Sequence, residues 1–377
     1  MYICAAMLTE KEISRYSRHL LLSEIGKAGQ EKLKNSMVLV IGAGGLGCPV
    51  LMYLAAAGVG KIGIVDFDKV DESNLQRQIL FDIKDVGKLK ADVARHKLSA
   101  QNPFVGIESI TQKLSVQNAL ELFSGYDIIV DGTDNFSTRY LVNDACVLLE
   151  KILVSGSIFK FQGQVSVFNL NVKSPTYRCL FPSAPPAESS PACSEVGVMG
   201  VLPGIIGSLM ANEVIKIIVG IGELLSGKVL LVDALSMNFS KIELTRNPGS
   251  EKAVPQNENA FRKMDYDLFC GIKNNINMLK EISAEELSAM ISAKENIQLL
   301  DVREINEMPE APASNALKIP LGEIEKYTNK IDRDKKVIVF CKMGGRSRKA
   351  IEALEKHGFQ NLYNLKGGVM EWLKTTK

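Results

Sequence analysis

The sequence lacks an excess of charge of either sign. Its 45 Lys and Arg residues nearly balance 43 Asp and Glu residues, which gives a net charge of +2, and the two signs are well mixed. This balance gives no support for a nucleic acid or a membrane surface as a partner. Residues 1–10 also lack the basic flank and the apolar run of a signal peptide. We therefore expect a cytoplasmic protein.

A disulfide framework and a membrane span are lacking as well. The seven cysteines are scattered and odd in number, which fits a reducing compartment with one or two working thiols. Residues 35–60 contain no charge, but six glycines and Pro49 indicate a buried strand, turn and helix rather than a span. A length of 377 residues with 46% hydrophobic content predicts two or three globular domains.

A strand, a glycine turn and a helix follow one another from Met37 to Gly58. The strand, Met37–Ile41, precedes Gly42-Ala43-Gly44-Gly45-Leu46-Gly47, and a helical stretch begins at Cys48. The G-x-G-x-x-G pattern requires this order, because its glycines bring a phosphate close to a helix N-terminus. A second strand ends at Asp66, whose carboxylate can accept hydrogen bonds from both ribose hydroxyls. The pattern predicts a nucleotide site, most commonly for a dinucleotide.

The segment Ser73-Asn74-Leu75-Gln76-Arg77 distinguishes two kinds of nucleotide site. A redox site that holds a pyrophosphate has little need of an Arg beside its turn, whereas a site that stabilises charge moving between the phosphates of a triphosphate needs one. At these residues the sequence resembles the adenylating domain of the ubiquitin-activating superfamily. The resemblance is closest to the bacterial MoeB/ThiF/HesA proteins, which adenylate the C-terminus of small ubiquitin-like sulfur carriers. The alternative is a Rossmann dehydrogenase with a surface Asn and Arg.

The resemblance implies an α/β fold in which a Rossmann-like adenylating domain contains a mainly parallel sheet. It also implies ATP and Mg²⁺ as cofactors. The residues that it assigns to ATP lie in the glycine turn, at the end of the second strand and in the segment after it, and they are Gly42, Gly44, Gly45, Gly47, Asp66, Ser73, Asn74, Leu75, Gln76 and Arg77.

Two further cations are assigned by the resemblance. Arg18 belongs to a helical stretch from Thr9 to Leu22 and matches a family arginine that crosses a dimer interface to the partner's ATP. The resemblance thus implies a homodimer, and a solvated basic face is the alternative. Lys90 matches a phosphate-binding lysine. Lys88 is the alternative to Lys90, because the family often has proline where Leu89 stands.

A carboxylate follows the buried strand Asp127–Asp131 in the segment Gly132-Thr133-Asp134-Asn135. The carboxyl ends of parallel strands are where α/β sheets bind ligands. We therefore expect Asp134 to hold Mg²⁺ against the phosphates, with Asn135 beside it at the ATP site. Asp134 could also, or instead, cap the helix that begins near Phe136.

The zinc-binding cysteines of many relatives are mostly absent. The two C-x-x-C pairs of the family read Thr176-Tyr177-Arg178-Cys179 and Ser250-Glu251-Lys252-Ala253 here. One cysteine without a nearby histidine cannot hold tetrahedral zinc, so we expect none. Cys193 ends a stretch rich in Pro, Ser and Ala. Some relatives use a cysteine there to form a thioester or disulfide with the carrier, and an ordinary loop thiol is the alternative.

A polar, aperiodic stretch near residues 247–277 marks a domain boundary. We predict an adenylating domain over residues 1–248, a linker over 249–278 and a second domain over 279–377. In the second domain the strand Lys336–Phe340 leads into Cys341 and then a helix. A thiol at a helix N-terminus lies among backbone N–H groups that lower its pKa, and Arg346 adds a positive charge.

The loop from Cys341 to Ser347 resembles the active loop of rhodanese sulfurtransferases. Asp301-Val302-Arg303-Glu304 and the Gly-Gly pair before Trp372 match the same family. Phosphatases of related fold need a loop one residue longer than the four residues that separate Cys341 from Arg346 here. The resemblance implies a smaller α/β rhodanese domain with Cys341 and Arg346 as catalytic residues. A buried structural cysteine is the alternative. The family's G-H-I-P-G-A segment is degraded at residues 310–316.

The two resemblances together indicate an adenylyltransferase and sulfurtransferase. The carrier carboxylate would attack the α-phosphate of ATP, and a persulfide on Cys341, charged by a donor such as a cysteine desulfurase, would attack the adenylate. A ubiquitin-like carrier for molybdopterin, thiamine, cysteine or tRNA thiolation fits equally well. The rival interpretations are a dehydrogenase fused to a sulfurtransferase and a non-enzymatic scaffold that binds carrier and nucleotide.

Overall fold

A computed structural model describes residues 7–184, 197–270 and 279–375. The chain divides into two compact units, Met1–Cys270 and Gly271–Lys377. Each unit contains one sheet with helices, and this arrangement confirms the predicted α/β class.

The sheet of the first unit has eight strands in the order β3-β2-β1-β4-β5-β6-β7-β8. Its strands are β1 Met37–Ile41, β2 Lys61–Val65, β3 Gly106–Ile110, β4 Ile128–Asp131, β5 Ile152–Phe159, β6 Gln162–Phe168, β7 Lys228–Asp233 and β8 Asn238–Glu243. The first five strands in chain order pair in parallel, and the remaining pairings are antiparallel. The chain passes from β3 at one edge back to β4 beside β1, so the carboxyl ends of β1 and β4 flank a crevice.

Helices cover both faces of this sheet. They are α1 Glu10–Arg15, α2 Ser17–Leu20, α3 Gly26–Asn35, α4 Gly47–Ala57, α5 Lys90–Gln101, α6 Ala119–Ser124, α7 Phe136–Leu148, α8 Tyr177–Leu180, α9 Leu202–Val219, α10 Pro248–Glu251, α11 Glu258–Arg262 and α12 Tyr266–Phe269. Side chains alternate along β1, so Val38 and Val40 enter one apolar core while Leu39 and Ile41 enter the other. Two buried faces explain why β1 is apolar throughout.

Helix α9 is the one helix in the described part of the chain that is long and apolar enough to cross a membrane. It packs closely on α4, because a Cβ atom added at Gly207 would lie 2.6 Å from the carbonyl oxygen of Leu46. Its buried residues, including Ile206 and Met210, belong to the apolar core of the first unit. A core position explains its composition.

Residues 249–270, which were predicted to be part of a linker, form short helices in the structure. Helices α10, α11 and α12 occupy this segment, and Phe261 and Tyr266 enter the core that contains Leu39. The Tyr266 hydroxyl donates to Asp144 Oδ2 at 2.8 Å. The segment therefore belongs to the first unit. Its helices are too short for a sustained amphipathic period, which explains why the sequence pattern indicated a linker.

The second unit is a five-stranded parallel sheet in the order β11-β10-β12-β13-β9. Its elements are β9 Lys280–Ile282, α13 Ala284–Ser292, β10 Ile297–Asp301, β11 Leu317–Lys318, a 3₁₀ segment Leu321–Lys330, β12 Lys336–Phe340, α14 Gly345–Lys356, β13 Leu362–Leu365 and α15 Gly368–Thr375. The central strand β12 sends Val337 and Val339 to one core, and Ile338 and Phe340 to the other. Cys341 follows β12 directly and so lies at the carboxyl edge of the sheet.

Candidate active sites

The glycine turn after β1 leaves room for a ligand at the N-terminus of α4. Gly42 has φ of +90°, which favours glycine, and a Cβ atom at Gly47 would lie 1.9 Å from the Gly42 carbonyl oxygen. Gly44 has open space instead, since the nearest neighbour to a Cβ atom there is Gln78 Nε2 at 3.8 Å. The turn can therefore bring backbone N–H groups close to a phosphate.

Asp66 is fixed at the end of β2 by two backbone groups. Its Oδ2 accepts from the Ala43 N–H at 2.7 Å, and its Oδ1 accepts from the Asp68 N–H at 2.9 Å. Burial raises the pKa of Asp66, while the Ala43 N–H and the charge of Lys90 act in the opposite direction. Each carboxylate oxygen keeps a further acceptor position for a hydroxyl donor.

Lys90 lies beside the Asp66 carboxylate, and Lys88 does not. The loop after β2 pairs with the segment before α5, since the Lys90 N–H donates to the Asp68 carbonyl oxygen at 2.9 Å. Lys90 is buried, with its Nζ 3.4 Å from Asp68 Oδ2. The exposed Lys88 forms an ion pair with Asp85 instead. Asp68 is thus a neighbour of the site that sequence reasoning missed, and no motif marks it.

The segment after β2 holds Arg77 next to the glycine turn. Arg77 Nη1 donates to the Ser73 carbonyl oxygen at 3.0 Å, and Arg77 Cγ lies 3.8 Å from the position of a Cβ atom at Gly45. The Asn74 carbonyl oxygen accepts from the N–H groups of Arg77 at 3.0 Å and Gln78 at 2.9 Å. Gln76 packs instead against Gly200, where an added Cβ atom would lie 2.2 Å from Gln76 Oε1.

Leu75 is partly buried and Gln78 is buried in this segment. Leu75 packs against the apolar core. Gln78 is buried, and its Oε1 has no hydrogen-bond partner among the described residues. The Gln78 amide faces the open space at Gly44.

The loop after β4 meets the glycine turn, because a Cβ atom at Gly42 would lie 3.3 Å from the Gly132 carbonyl oxygen. Asn135, not Asp134, caps α7, since its Oδ1 accepts from the Thr138 N–H at 2.9 Å. Asp134 is exposed and has no hydrogen bond or ion pair with any described residue. The capping alternative therefore applies to Asn135, and the Asp134 carboxylate remains available to a cation.

Arg18 is exposed on α2, while its neighbours anchor the helix. The buried Tyr16 hydroxyl accepts from Asn102 Nδ2 at 2.9 Å, and Arg15 Nη2 donates to the Gln101 carbonyl oxygen at 2.6 Å. Within the described ranges, no hydrogen bond or ion pair is found for the Arg18 side chain. Cys193 lies outside the described residues.

Three of the four positions that bind zinc in many relatives form a hydrogen-bonded cluster. Cys179 Sγ accepts from the N–H groups of Asn247 at 3.3 Å and Thr176 at 3.4 Å, and it lies 3.4 Å from Ser250 Oγ. Burial raises the pKa of the Cys179 thiol, but these hydrogen bonds outweigh it, so the pKa lies below its usual value. Across residues 7–184, 197–270 and 279–375, no group of three metal-ligating side chains is found.

Cys341 lies in a cradle of hydrogen-bond donors at the start of α14. Its Sγ accepts from the Gly344 N–H at 3.1 Å and from Ser347 Oγ at 3.5 Å. Burial raises the pKa of the thiol, but Ser347 and the N–H groups of Met343 and Gly344 outweigh it, so the pKa lies below its usual value. The cradle is tight, because a Cβ atom at Gly368 would lie 2.3 Å from the Cys341 carbonyl oxygen. This arrangement stabilises a sulfur anion.

Arg346 lies near this sulfur but forms a bidentate ion pair. Its Nη1 and Nη2 donate to the two carboxylate oxygens of Glu307 at 2.7 and 2.5 Å. Arg303 fixes the loop that carries Glu307, because its Nη1 donates to the Pro309 carbonyl oxygen at 2.6 Å. Arg303 is itself paired with the buried Asp301. Glu307 was missed by sequence reasoning, because 39 residues separate it from Arg346 and no pattern joins the two.

The sequence matches the ThiF family over residues 16–253 and the rhodanese-like domain over residues 283–375. The chain therefore belongs to the ThiF family and carries a rhodanese-like domain after the ThiF region. It is an enzyme that combines adenylyltransferase and sulfurtransferase activities. Membership of this family contradicts the dehydrogenase alternative.

The names of its relatives describe one or both of these activities. The chain is 43% identical over 382 residues to the probable adenylyltransferase/sulfurtransferase MoeZ of Mycobacterium tuberculosis, with 98% of this chain and 95% of MoeZ covered. It is 50% identical over 270 residues to the sulfur carrier protein adenylyltransferase of Thermus thermophilus, which covers 70% of this chain and 99% of that relative. It is 39% identical to the adenylyltransferase and sulfurtransferase MOCS3 of Culex quinquefasciatus over 98% of this chain and 89% of MOCS3.

Solved structures are similar to this fold. A crystal structure of E. coli MccB with ATP has a TM-score of 0.55 and 25% identity to this chain, over 64% of this chain and 73% of MccB. Another, of MccB with AMPCPP and MccA, has a TM-score of 0.55 and 26% identity over 62% of this chain and 72% of that one.

Proposed function

We propose that this chain adenylates the C-terminal glycine of a ubiquitin-like sulfur carrier and then transfers sulfur to it from Cys341. The observation that carries the first half is the convergence of the glycine turn, Asp66, Lys90 and the loop of Asp134 at one edge of the sheet. The name of the relative from Thermus thermophilus supports a sulfur carrier as the acceptor.

In the first step a carboxylate oxygen of the carrier attacks the α-phosphate of ATP, and pyrophosphate leaves. The N–H groups around Gly44 and the cations of Arg77 and Lys90 stabilise charge on the phosphates, and Asp66 holds the ribose. No protein nucleophile is required, because positioning and charge stabilisation lower the barrier. Ser73, Asn74, Leu75 and Gln76 shape this site.

The exposed Asp134 fits Mg²⁺, because it offers a carboxylate that no described protein group occupies. Asn135 supports it by fixing the start of α7. When bound, the ion would neutralise phosphate charge. The four positions around Cys179 do not fit zinc, since Thr176, Ser250 and Ala253 offer no thiolate.

In the second step the terminal sulfur of a Cys341 persulfide attacks the carbonyl carbon of the acyl-adenylate, and AMP leaves. The carrier is then joined to Cys341 by an acyl disulfide. A second thiol, from Cys193 or from outside, attacks Cys341 Sγ, and the thiocarboxylate leaves with the electron pair of the broken S–S bond. The disulfide that remains is reduced by an external dithiol before the next turnover.

Three further parts of the proposal extend beyond the two steps. Arg18 acts across a homodimer interface on the partner's ATP, a protein persulfide such as that of a cysteine desulfurase charges Cys341, and the enzyme works in the cytoplasm. A carrier for molybdopterin synthesis, thiamine synthesis or tRNA thiolation would use the same chemistry.

ATP–pyrophosphate exchange tests the first step. The purified chain is mixed with a ubiquitin-like carrier that ends in Gly-Gly, and in a matched control with the same carrier lacking its last glycine. We expect exchange with the intact carrier only. Exchange without any carrier would contradict carrier adenylation. No exchange with any of several intact carriers would also contradict it and would favour a binding scaffold.

A further inference from the structure

The guanidinium of Arg346, which lies beside Cys341, is already paired with the carboxylate of Glu307. Arg346 presents both terminal nitrogens to both oxygens of Glu307, which is the strongest geometry that these two groups adopt. The pKa of Arg346 lies above its usual value chiefly because of Glu307, and the Cys341 sulfur contributes as well. The pKa of Glu307 is lowered by Arg346, so the carboxylate stays ionised at neutral pH.

Glu307 is held in place by the hydrogen bonds of its own loop as well as by Arg346. Arg303 is buried against Asp301, and its Nη1 reaches the carbonyl oxygens of Pro309 at 2.6 Å and Glu307 at 3.5 Å. The Glu307 N–H donates to the Glu304 carbonyl oxygen at 3.1 Å. The loop after β10 therefore fixes the Glu307 backbone, and Arg346 fixes its carboxylate.

The other charges around the loop do not replace Arg346. Arg348 pairs with Glu281, with 3.0 Å between Nη2 and Oε1. Lys342 is exposed and has no ion pair with any residue in the described ranges. The exposed side chains on these loops include the apolar Ile305, Met308 and Met343. Glu304 and Glu310 are exposed as well, and their charge is opposite to that of Arg346.

We propose that Glu307 is a specificity-determining residue that excludes small dianionic sulfur donors from Cys341 and leaves the site to persulfide donors. This inference rests on the proposed function, because it names the class of donor that charges Cys341. A dianion such as thiosulfate would have to displace Glu307 before it could contact the guanidinium of Arg346.

The two donor classes differ in the charge of their leaving group. With thiosulfate, the Cys341 thiolate attacks the outer sulfur, the S–S bond breaks, and sulfite leaves as a dianion that needs a free cation. With a persulfide donor, the thiolate attacks the terminal sulfur, and the donor leaves as a thiolate of single charge. A neutralised Arg346 therefore penalises the first reaction more than the second.

The experiment compares wild type with Glu307→Gln and with the matched control Glu304→Gln. Glu304 is exposed on the same loop and contacts Glu307 through its backbone, so this control removes the same charge and leaves Arg346 paired. Sulfur transfer from thiosulfate to cyanide is measured. We expect Glu307→Gln to lower the KM for thiosulfate about tenfold, the value of one charge-assisted hydrogen bond. Glu304→Gln should change it by less than about twofold.

An unchanged KM in Glu307→Gln, or an equal fall in both variants, would overturn the proposal. Loading of Cys341 by cysteine persulfide, followed by mass spectrometry, provides the second readout. The extent of persulfide loading should be the same in wild type and in Glu307→Gln. Loss of loading in Glu307→Gln would also contradict the proposal. Carrier-dependent ATP–pyrophosphate exchange is measured on the same preparations. A failure of exchange alone bears on the proposed adenylation and leaves the thiosulfate comparison to decide the role of Glu307.

Discussion

At the scale of single residues, the cysteines fall into two environments. Cys341 and Cys179 accept hydrogen bonds from N–H and O–H groups, and the pKa of each thiol lies below its usual value because these bonds outweigh burial. Cys48 and Cys146 lie in apolar cores, where burial raises the pKa of Cys48 to about 12 and that of Cys146 as well. Among these four described cysteines, the surroundings of Cys341 and Cys179 favour the thiolate.

Substitution of Ser347 tests the cause of the low pKa at Cys341. In Ser347→Ala the sulfur loses an O–H donor, so less thiolate is present at a given pH and the profile of alkylation by iodoacetamide should move to higher pH by about half to one unit. Ser292→Ala, which removes a hydroxyl from the surface of α13, serves as the control. A profile that stays in place would show that the backbone N–H groups alone determine this pKa.

Substitution of Asp134 tests its predicted role as a metal ligand. Asp134→Asn keeps the size of the side chain and removes the charge, so carrier-dependent exchange should fall by about 100-fold or more. Asp127→Asn, at the other end of the β4 region, is the matched control, because an amide oxygen can still accept from the Met37 N–H. Near-normal exchange by Asp134→Asn would leave that carboxylate without a role in the reaction.

At the scale of elements, sequence reasoning succeeded where one local pattern determines the structure. The strand, glycine turn and helix from Met37 onward are observed, because each step depends on neighbouring residues. The capping box of Ser283 and Glu286 at the start of α13 is equally local. Sequence reasoning could not find the pairs Arg346–Glu307 and Lys90–Asp68, because loops bring these residues together and no periodicity links them. The packing of residues 249–270 depends on tertiary contacts of the same kind.

The cluster at Cys179 gives an element-scale prediction about zinc. We expect metal analysis of the purified protein to find less than one zinc per chain. The hydrogen bonds from Thr176 and Ser250 to the sulfur indicate that the positions still converge. The triple variant Thr176→Cys, Ser250→Cys and Ala253→Cys should therefore bind one zinc per chain and unfold at higher temperature. One tightly bound zinc in the wild type would contradict the prediction.

At the scale of the whole molecule, Arg18 predicts that two chains share each ATP site. Its helix is anchored by Tyr16 and Arg15, while Arg18 itself points to no described group of its own chain. A guanidinium on an anchored helix can reach a second chain.

Complementation between two inactive variants tests this arrangement. Arg18→Ala and Asp134→Asn chains are mixed, and hybrid dimers should contain one site with both residues intact, so part of the exchange activity should return. Each variant alone is the control. If subunit exchange is demonstrated and activity does not return, Arg18 does not act across the interface.

The most direct test of the two-step reaction is mass spectrometry of the carrier after a single turnover with ATP and a protein persulfide donor. Wild type should convert the carrier to a thiocarboxylate, detected as the replacement of one oxygen by sulfur. Cys341→Ala should still form the acyl-adenylate and release pyrophosphate but produce no thiocarboxylate. Cys193→Ala should produce it more slowly and recover with added thiol. Thiocarboxylate formed by Cys341→Ala from the protein donor would contradict sulfur transfer through Cys341.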